Sequence, residues 1–577
     1  MAYAAGSIRP NHVSQAALDQ AVRDFWDEWK AEYVAEACGA GRHVVLAGAG
    51  SGNLTVSEAH GYGMMLAALM AGHDPDAQEI FDGMVAFYRD HPSSLTPGLM
   101  AWNQSKSCQD AEGADSASDG DLDIAFALLL ADRQWGSCGA IDYREAANTI
   151  VAAIRAGDLD PSGRIVKLGD WVADDGSTFA TATRTSDFMP DHYRAFAAAT
   201  SDASWSDLVE HTWDVVEALQ SDFSPSTGLL PDFVVNALSS PAPAPAGFLE
   251  GANDGAYDYN ACRDPWRLAT DWIMNGESRA RSAVGRIETW VRGATGGDPS
   301  GIRSGYRLSG TPSANSDYLS MAFVAPIGAG AIVDAAHQEW LNDVWDLVVA
   351  TPLADGAYYE NTLKLLSMIV MSGNWWSPEK VGAPSCTTPS TPLCTAGGSI
   401  FTPRLDVSGL SRAPGAQSIK LTGTLAWPQG NPGGFPLDGG LQVLVEDLGT
   451  GGTALLELTA DTHPVPGASA AACDPRKDRW KTSGPKVSYV NGSGSVDAPA
   501  CTPGSAGGLS KLQYKQLWNG DVAVQLQTKK QSLAGPVAGP LRVTLVQGSN
   551  AAAGTTGACA VSEALACRPV GSKLRCE

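Results

Sequence analysis

Three acidic clusters carry side chains able to exchange protons. The first is Thr55-Val56-Ser57-Glu58-Ala59-His60-Gly61-Tyr62-Gly63-Met64, and the second is Ala114-Asp115-Ser116-Ala117-Ser118-Asp119-Gly120-Asp121-Leu122-Asp123. The third runs from Phe248-Leu249-Glu250-Gly251 through Asp254 and Asp258 to Asn260-Ala261-Cys262-Arg263. Two carboxyl groups facing one bond, one protonated and one ionised, act as general acid and general base. Each cluster also has a plainer reading at a loop-to-helix junction. Ser57 can cap a helix with Glu58 in its first turn, and Asp119 or Asp121 can cap a helix starting near Leu122. The run Asp119, Asp121, Asp123 hints at calcium, but Ile124 and Leu130 stand where a calcium loop needs Gly and Glu. With no CxxC pair for zinc either, neither metal nor cofactor is expected.

Helices must position these groups. Apolar runs of helical length cover His60–Ala71, Leu122–Trp135, Ala146–Ile154, Ala280–Trp290 and Asn361–Met371, separated by Gly-rich polar stretches. Many are apolar nearly all round, so neighbours must cover more than one side. About a dozen helices before residue 380 suit a closed α/α barrel. Residues 381–398, rich in Thr, Ser, Pro and Gly and holding Cys386 and Cys394, read as a linker. Beyond it the period changes to two, with strands expected at Ser399–Phe401, Ser418–Trp427, Leu441–Glu446, Ala454–Thr459, Val487–Val490, Asp521–Gln527 and Leu541–Val546. That pattern predicts an all-β, sandwich-like domain over 399–577 after an all-α domain over 1–380.

Charge divides the same way. Residues 1–380 hold 51 acidic and 23 basic side chains, a net of −28, whereas 381–577 hold 12 and 16, a net of +4. An acidic surface repels nucleic acid and anionic membranes and attracts polycations; it also simply keeps a protein soluble. No apolar stretch is long enough to span a bilayer, and Met1-Ala2-Tyr3-Ala4 shows no leader features. Seven of the 11 cysteines follow residue 380, which suits disulfides in an oxidising compartment, and the odd count leaves a free thiol. A secreted, extracellular monomer is expected, without nucleic-acid or membrane partners.

The segment Ala117–Trp135 resembles the signature of glycoside hydrolase family 8. Val56–Met65 resembles that family's acid motif, Asn260-Ala261-Cys262-Arg263-Asp264-Pro265-Trp266-Arg267 its loop-helix near the base, and Tyr358–Trp376 its closing segment. The resemblance covers roughly residues 10–378 and nothing after 380. It implies an (α/α)6 barrel and inversion at the anomeric carbon, which needs carboxyl groups about 6.5–9.5 Å apart to admit a water.

By this resemblance Glu58 is the general acid, and Asp119 holds the sugar at the cleavage point. A helix start should lower the Glu58 pKa, so burial or a neighbouring carboxylate must raise it. Many members carry Asp where this chain has Asn260, and an amide cannot take a proton from water. A bacterial chitosanase-glucanase branch shares the Asn and takes its base from a Glu slightly upstream. The chain is similar to that branch at Gly113–Ser116, Leu229–Val235 and Phe248–Gly251, which implies Glu250 as base, with Asp254 and Asp258 in reserve. Trp102 and Trp171 match groove positions and are expected to stack on sugar rings. Asn260, Arg263 and Tyr358 complete the expected substrate contacts, while His60, two residues past the acid, points away and reads as structural.

Chitosan, a polyamine, suits an acidic groove and is the expected substrate of an endo-acting chitosanase. A β-1,4-glucanase or licheninase acting on cellulose or mixed-linkage glucan is the alternative within the same chemistry. Asn260 also keeps open a non-catalytic carbohydrate-binding protein. A helical-barrel lyase would need an anionic uronate, which the acidity opposes. The tail, with few aromatics and the basic run Arg476-Lys477-Asp478-Arg479, is expected to be accessory, either a carbohydrate-binding sandwich or a domain that only stabilises or attaches the enzyme.

Overall fold

The apolar runs before residue 380 do form helices. The computed structural model describes residues 3–48, 52–137, 141–382, 398–410, 416–426, 441–448, 453–460, 478–492, 508–531, 533, 540–547, 558–571 and 573–577. It divides into two compact units, Met1–Ser385 and Cys386–Glu577. Most of the expected linker, Trp427, Phe435, Arg476 and Lys477 lie outside the described residues.

In the first unit twelve α-helices are described: α1 (Gln15–Tyr33), α2 (Ser57–Met70), α3 (Ala77–Asp90), α4 (Ser118–Trp135), α5 (Tyr143–Gly157), α6 (Pro190–Thr200), α7 (Ser204–Asp222), α8 (Asp264–Asn275), α9 (Ser278–Ala294), α10 (Met321–Ala331), α11 (Gln338–Ala350) and α12 (Tyr358–Met371). The even-numbered helices touch in sequence, and α12 returns to α2. Each odd-numbered helix packs on an even-numbered one: α1 on α12, α3 on α2, α5 on α4, and so on to α11 on α10. The residue patterns explain this division. Helix α10 is buried at every position and α4 at all but its last three, so both need neighbours all round. Helices α5 and α9 bury one stripe and leave the other to water.

The crossing of α2 and α4 is close enough to matter for chemistry. A Cβ on Gly120 would lie 2.4 Å from Ser57 Oγ, and one on Gly61 would lie 2.6 Å from the Asp123 Cβ. Glycine at both places lets the two helix N-termini meet, bringing Glu58 and Asp119 together.

The capping expectation fails. The N-cap residues are Val56 and Ala117, and neither caps through its side chain. The free helix N–H groups are met instead by chain from elsewhere. The Ser57 amide donates to the Trp102 carbonyl at 2.8 Å, and strand Asn53–Val56 pairs with Asn103–Ser105. Asp121 turns inward and accepts from the Met100 amide at 2.8 Å. A disulfide joins Cys38 to Cys108, and among the described residues the free thiol is Cys262, buried before α8.

The second unit is β-rich. Its described strands form one ladder in the order Thr453–Ala460, Leu441–Asp447, Leu541–Gln547, Ala558–Val561, Gly398–Ser408, Ser418–Ala426, Val522–Thr528, Leu509–Gln516, Lys486–Asn491, Asp478–Ser483. Two separate sheets would be the simple sandwich. Here strand Gly398–Ser408 pairs with Ala558–Val561 along its first half and with Lys573–Cys576 along its second, with a register shift between Phe401 and Arg404. The ladder therefore stays continuous while its inward side chains, among them Leu405, Leu421, Val443, Leu512 and Val543, share one core.

Candidate active site

All eight residues expected at the site line one cavity of about 810 Å³: Glu58, Trp102, Asp119, Trp171, Glu250, Asn260, Arg263 and Tyr358. The even-numbered helices bring them there by their N-terminal ends. Glu58 is the second residue of α2, Asp119 the second of α4 and Tyr358 the first of α12, while Arg263 closes the short turn that leads into α8. Trp102 comes from the segment that covers the start of α2, and Trp171, 36% exposed, from the loop between α5 and α6.

Arg263 is the hub. It is buried, and its Nη1 donates to Glu58 Oε2 at 2.8 Å, to Asp119 Oδ2 at 3.1 Å and to the Tyr62 hydroxyl at 3.0 Å. Its Nη2 donates to Asn260 Oδ1 at 2.8 Å and to Ser186 Oγ at 2.9 Å. Asn260 in turn donates from Nδ2 to Glu250 Oε2 at 2.9 Å. A guanidinium and an amide thus connect the two expected catalytic carboxyls, which make no direct bond to each other. Tyr358 donates its hydroxyl to the other Glu58 oxygen in a very short hydrogen bond.

These surroundings drive neighbouring carboxyls apart. Burial raises the Glu58 pKa; Arg263 opposes this and the Asp119 charge adds to it, for a net upward shift. The helix N-terminus, expected to pull Glu58 down, loses to desolvation. Burial pushes Asp119 up as well, but the guanidiniums of Arg184 and Arg263 outweigh it and hold Asp119 below its usual value. The surroundings thus favour the protonated form of one carboxyl and the ionised form of the other beside it. That separation is how a fold assigns an acid role at moderate pH.

The reserve carboxylates take no place in the cavity lining. Asp254 accepts from the Leu249 and Gly251 amides, both at 2.7 Å, and so builds the turn that presents Glu250. Asp258 accepts from Asn253 Nδ2 at 2.6 Å. His60, buried, bonds the Met84 carbonyl at 2.8 Å on the side facing α3.

Residues 6–373 match the glycosyl hydrolases family 8 profile. The chain belongs to that family. A β-glucanase of Niallia circulans is 49% identical over 375 residues, spanning 65% of this chain and 90% of that protein. An endoglucanase of a Bacillus species is 39% identical over 383 residues, spanning 65% and 80%. The apo structure of a β-1,3-1,4-glucanase from a Paenibacillus species superposes with a TM-score of 0.63 at 48% identity, covering 65% of this chain and 97% of that one. As a family 8 enzyme the chain is a glycoside hydrolase acting on polysaccharide. The relatives are named for glucans, so they lend chitosan no support and favour the glucanase alternative.

Several lining residues of this family 8 site were not anticipated. Arg184 donates to Asp119 Oδ2 at 3.3 Å, and Tyr359, Tyr259, Glu112 and Asp115 also face the cavity. Arg184 stands in the non-periodic run Thr183-Arg184-Thr185-Ser186-Asp187, where only an arginine three residues before an aspartate in the otherwise uncharged stretch 176–190 marked it. Asp232, in the Leu229–Val235 segment, lies just behind the site. Burial raises it to about 7, against amide donors that include Ala261 at 2.7 Å and Asp258 at 2.9 Å.

Proposed function

We propose that this family 8 enzyme is a secreted, inverting endo-β-1,4-glucanase acting on cellulose or mixed-linkage β-glucan. The observation that carries the proposal is the linked set Glu58–Arg263–Asn260–Glu250, with Glu58 shifted toward its protonated form and Asp119 beside it shifted toward its ionised form. Glu58 gives its proton to the glycosidic oxygen as the C–O bond breaks. A water attacks the anomeric carbon from the opposite face, and Glu250 takes the proton that this water loses. Glu58 ends the step ionised, where Arg263 and Tyr358 can stabilise it by charge and hydrogen bonding. Asp119 binds the sugar at the cleavage point, and Trp102 and Trp171 stack on neighbouring rings. The cycle of even-numbered helices, wrapped by the odd-numbered ones, supports the (α/α)6 barrel reading. The Cys38–Cys108 disulfide supports an oxidising compartment.

The −28 charge of residues 1–380 favours a polyamine, but Arg184 and Arg263 neutralise the carboxyls nearest the cleavage point. Glu112 and Asp115 remain on the cavity wall as the groups an ammonium would meet. Reducing-end release from barley β-glucan, carboxymethyl-cellulose and soluble chitosan separates these readings, using wild type, Glu58→Gln and Glu250→Gln at about pH 5–6. The glucans should be cut, each variant should lose about a thousandfold of rate, and NMR should show the inverted anomer first. Cleavage of chitosan alone would return the substrate to the polyamine. An active Glu250→Gln would move the base elsewhere. A wild type inert on all three would leave a binding protein.

A further inference from the structure

The β-rich unit carries an outward face that the glycosidase chemistry does not use. Tyr489, Leu512, Tyr514, Val524, Leu526 and Leu421 point into its core. Their alternating neighbours form rows across the sheet, fixed by register. Lys511, Gln527 and Lys420 stand side by side on adjacent strands. The next row is Ser488, Gln513, Gln525 and Thr422. The third is Lys486, Lys515, Ala523 and Thr424, ending at Phe401.

Two properties of this face ask for a ligand. The first is uncompensated charge. Lys486 sits directly opposite Lys515, an arrangement that destabilises a sheet unless something answers it. Among the described residues no carboxylate pairs with these four lysines. The acid that ends the first row, Asp406, is already held by Arg575 at 2.7 Å and Arg404 at 3.4 Å. The second property is two rings turned to water, Phe401 at 55% exposure and Trp518 at 99%. Trp518 tops the hairpin that continues from Lys515 and returns to Ala523. That hairpin is braced by Leu517 N–H to the Asp521 carbonyl at 2.8 Å and by Asn519 Nδ2 to Asp521 Oδ2 at 2.6 Å. A rigid turn presenting a bare indole forgoes the burial that the ring could supply.

We propose that this face binds an acidic polysaccharide chain. Its lysines would meet sugar carboxylates. The glutamine and threonine row, whose groups both donate and accept, would meet hydroxyls, and Trp518 and Phe401, both beside the third row, would pack on sugar rings. Charge complementarity selects an acidic polymer over a neutral one, and the family's polysaccharide substrates select a glycan over another polyanion. The face belongs to the β-rich unit and shares no residue with the catalytic cavity, so it would hold the enzyme on a charged matrix while a neutral glucan is cut.

Affinity electrophoresis of the full chain in gels containing polygalacturonate, the neutral α-glucan dextran or single-stranded DNA tests this. The chain's net charge of −24 opposes retention by any polyanion, so retardation reports a local site. Polygalacturonate should retard wild type and the other two should not. Combined Lys420→Gln, Lys511→Gln and Lys515→Gln should weaken binding by about tenfold or more, and about 0.5 M salt should abolish it. Trp518→Ala should weaken it severalfold without changing the salt dependence. Glucan hydrolysis should be unchanged in every variant, and calorimetry should show the β-rich unit melting as in wild type, which shows that each is folded. Retardation by dextran instead, equal retardation by DNA, lysine variants that bind like wild type, or no retardation at all would each overturn the proposal.

Discussion

Tyr358→Phe should move one limb of the pH–rate profile and leave the other in place. The Tyr358 hydroxyl donates to Glu58 and favours its ionised form; burial and the Asp119 charge act the other way and prevail. Removing the hydroxyl removes a lowering influence, so Glu58 should hold its proton to higher pH. A hydrogen bond to a charged group contributes about 1.5–3 kcal/mol, and one pKa unit corresponds to about 1.4 kcal/mol, which sets a range of about 1–2 units. The lower end applies, because Arg263 keeps its 2.8 Å contact with the other oxygen and the Glu58 side chain is 20% exposed to water. The basic limb of kcat/KM on barley β-glucan should therefore move up by about one pH unit. The acidic limb should not move. The plateau should fall, because the ionised Glu58 left after proton transfer has lost a donor. A basic limb that stays fixed or moves down while KM rises would refute this reasoning and make Tyr358 a sugar contact alone.

Three further outcomes follow from the same contacts. Asp119→Asn removes a negative charge that raises Glu58, so the basic limb should move to lower pH, opposite to Tyr358→Phe, while kcat falls by about a hundredfold or more. A basic limb that moves up would contradict the assignment. Asn260→Ala cuts the bond that orients Glu250; kcat should fall by about 10–100-fold with KM nearly unchanged, which steady-state kinetics on β-glucan will show. Gly120→Ala forces a Cβ to within 2.4 Å of Ser57 Oγ and 2.6 Å of the Ser57 carbonyl carbon; it should cost about 1–3 kcal/mol of stability, read as a lower calorimetric midpoint.

The site was legible where a motif names single residues, and less so where geometry sorts neighbours. Asp119, Asp121 and Asp123 look alike in sequence, yet residues two apart on a helix point to different sides. Asp119 faces the cavity, Asp121 takes the Met100 amide, and Asp123 pairs with Arg267 at 2.6 Å and His192 at 3.0 Å. The helix caps were misjudged because the covering segment around Trp102 lies far along the chain, and no local pattern announces that it will satisfy α2. In the tail, strand Leu509–Gln516 escaped notice because its alternation, Leu-Ser-Lys-Leu-Gln-Tyr-Lys-Gln, is interrupted by a register shift between Leu509 and Lys511. Strands Ala558–Val561, Cys567–Val570 and Lys573–Cys576, of four residues each, are too short to show a period, and Asp478–Ser483 is polar apart from Trp480.

Asn260 raised the sharpest doubt about catalysis, and its contacts turn that doubt into an argument. Position 260 must donate on one side, to Glu250 Oε2, and accept on the other, from Arg263 Nη2. An amide does both at once, whereas an ionised aspartate only accepts. Aspartate here would keep its pairing with Arg263 but set one carboxylate oxygen against another at the 2.9 Å now spanned by a donated hydrogen bond. With Glu250 as base, then, asparagine is the residue the geometry requires at 260. If an aspartate at that position were the base instead, Glu250 would have to withdraw. The two arrangements exclude each other, so Asn260→Asp combined with Glu250→Gln should recover activity that Glu250→Gln alone lacks. Failure of that rescue would mean that the loop before α8 has become too specialised around Glu250 to place a water for position 260.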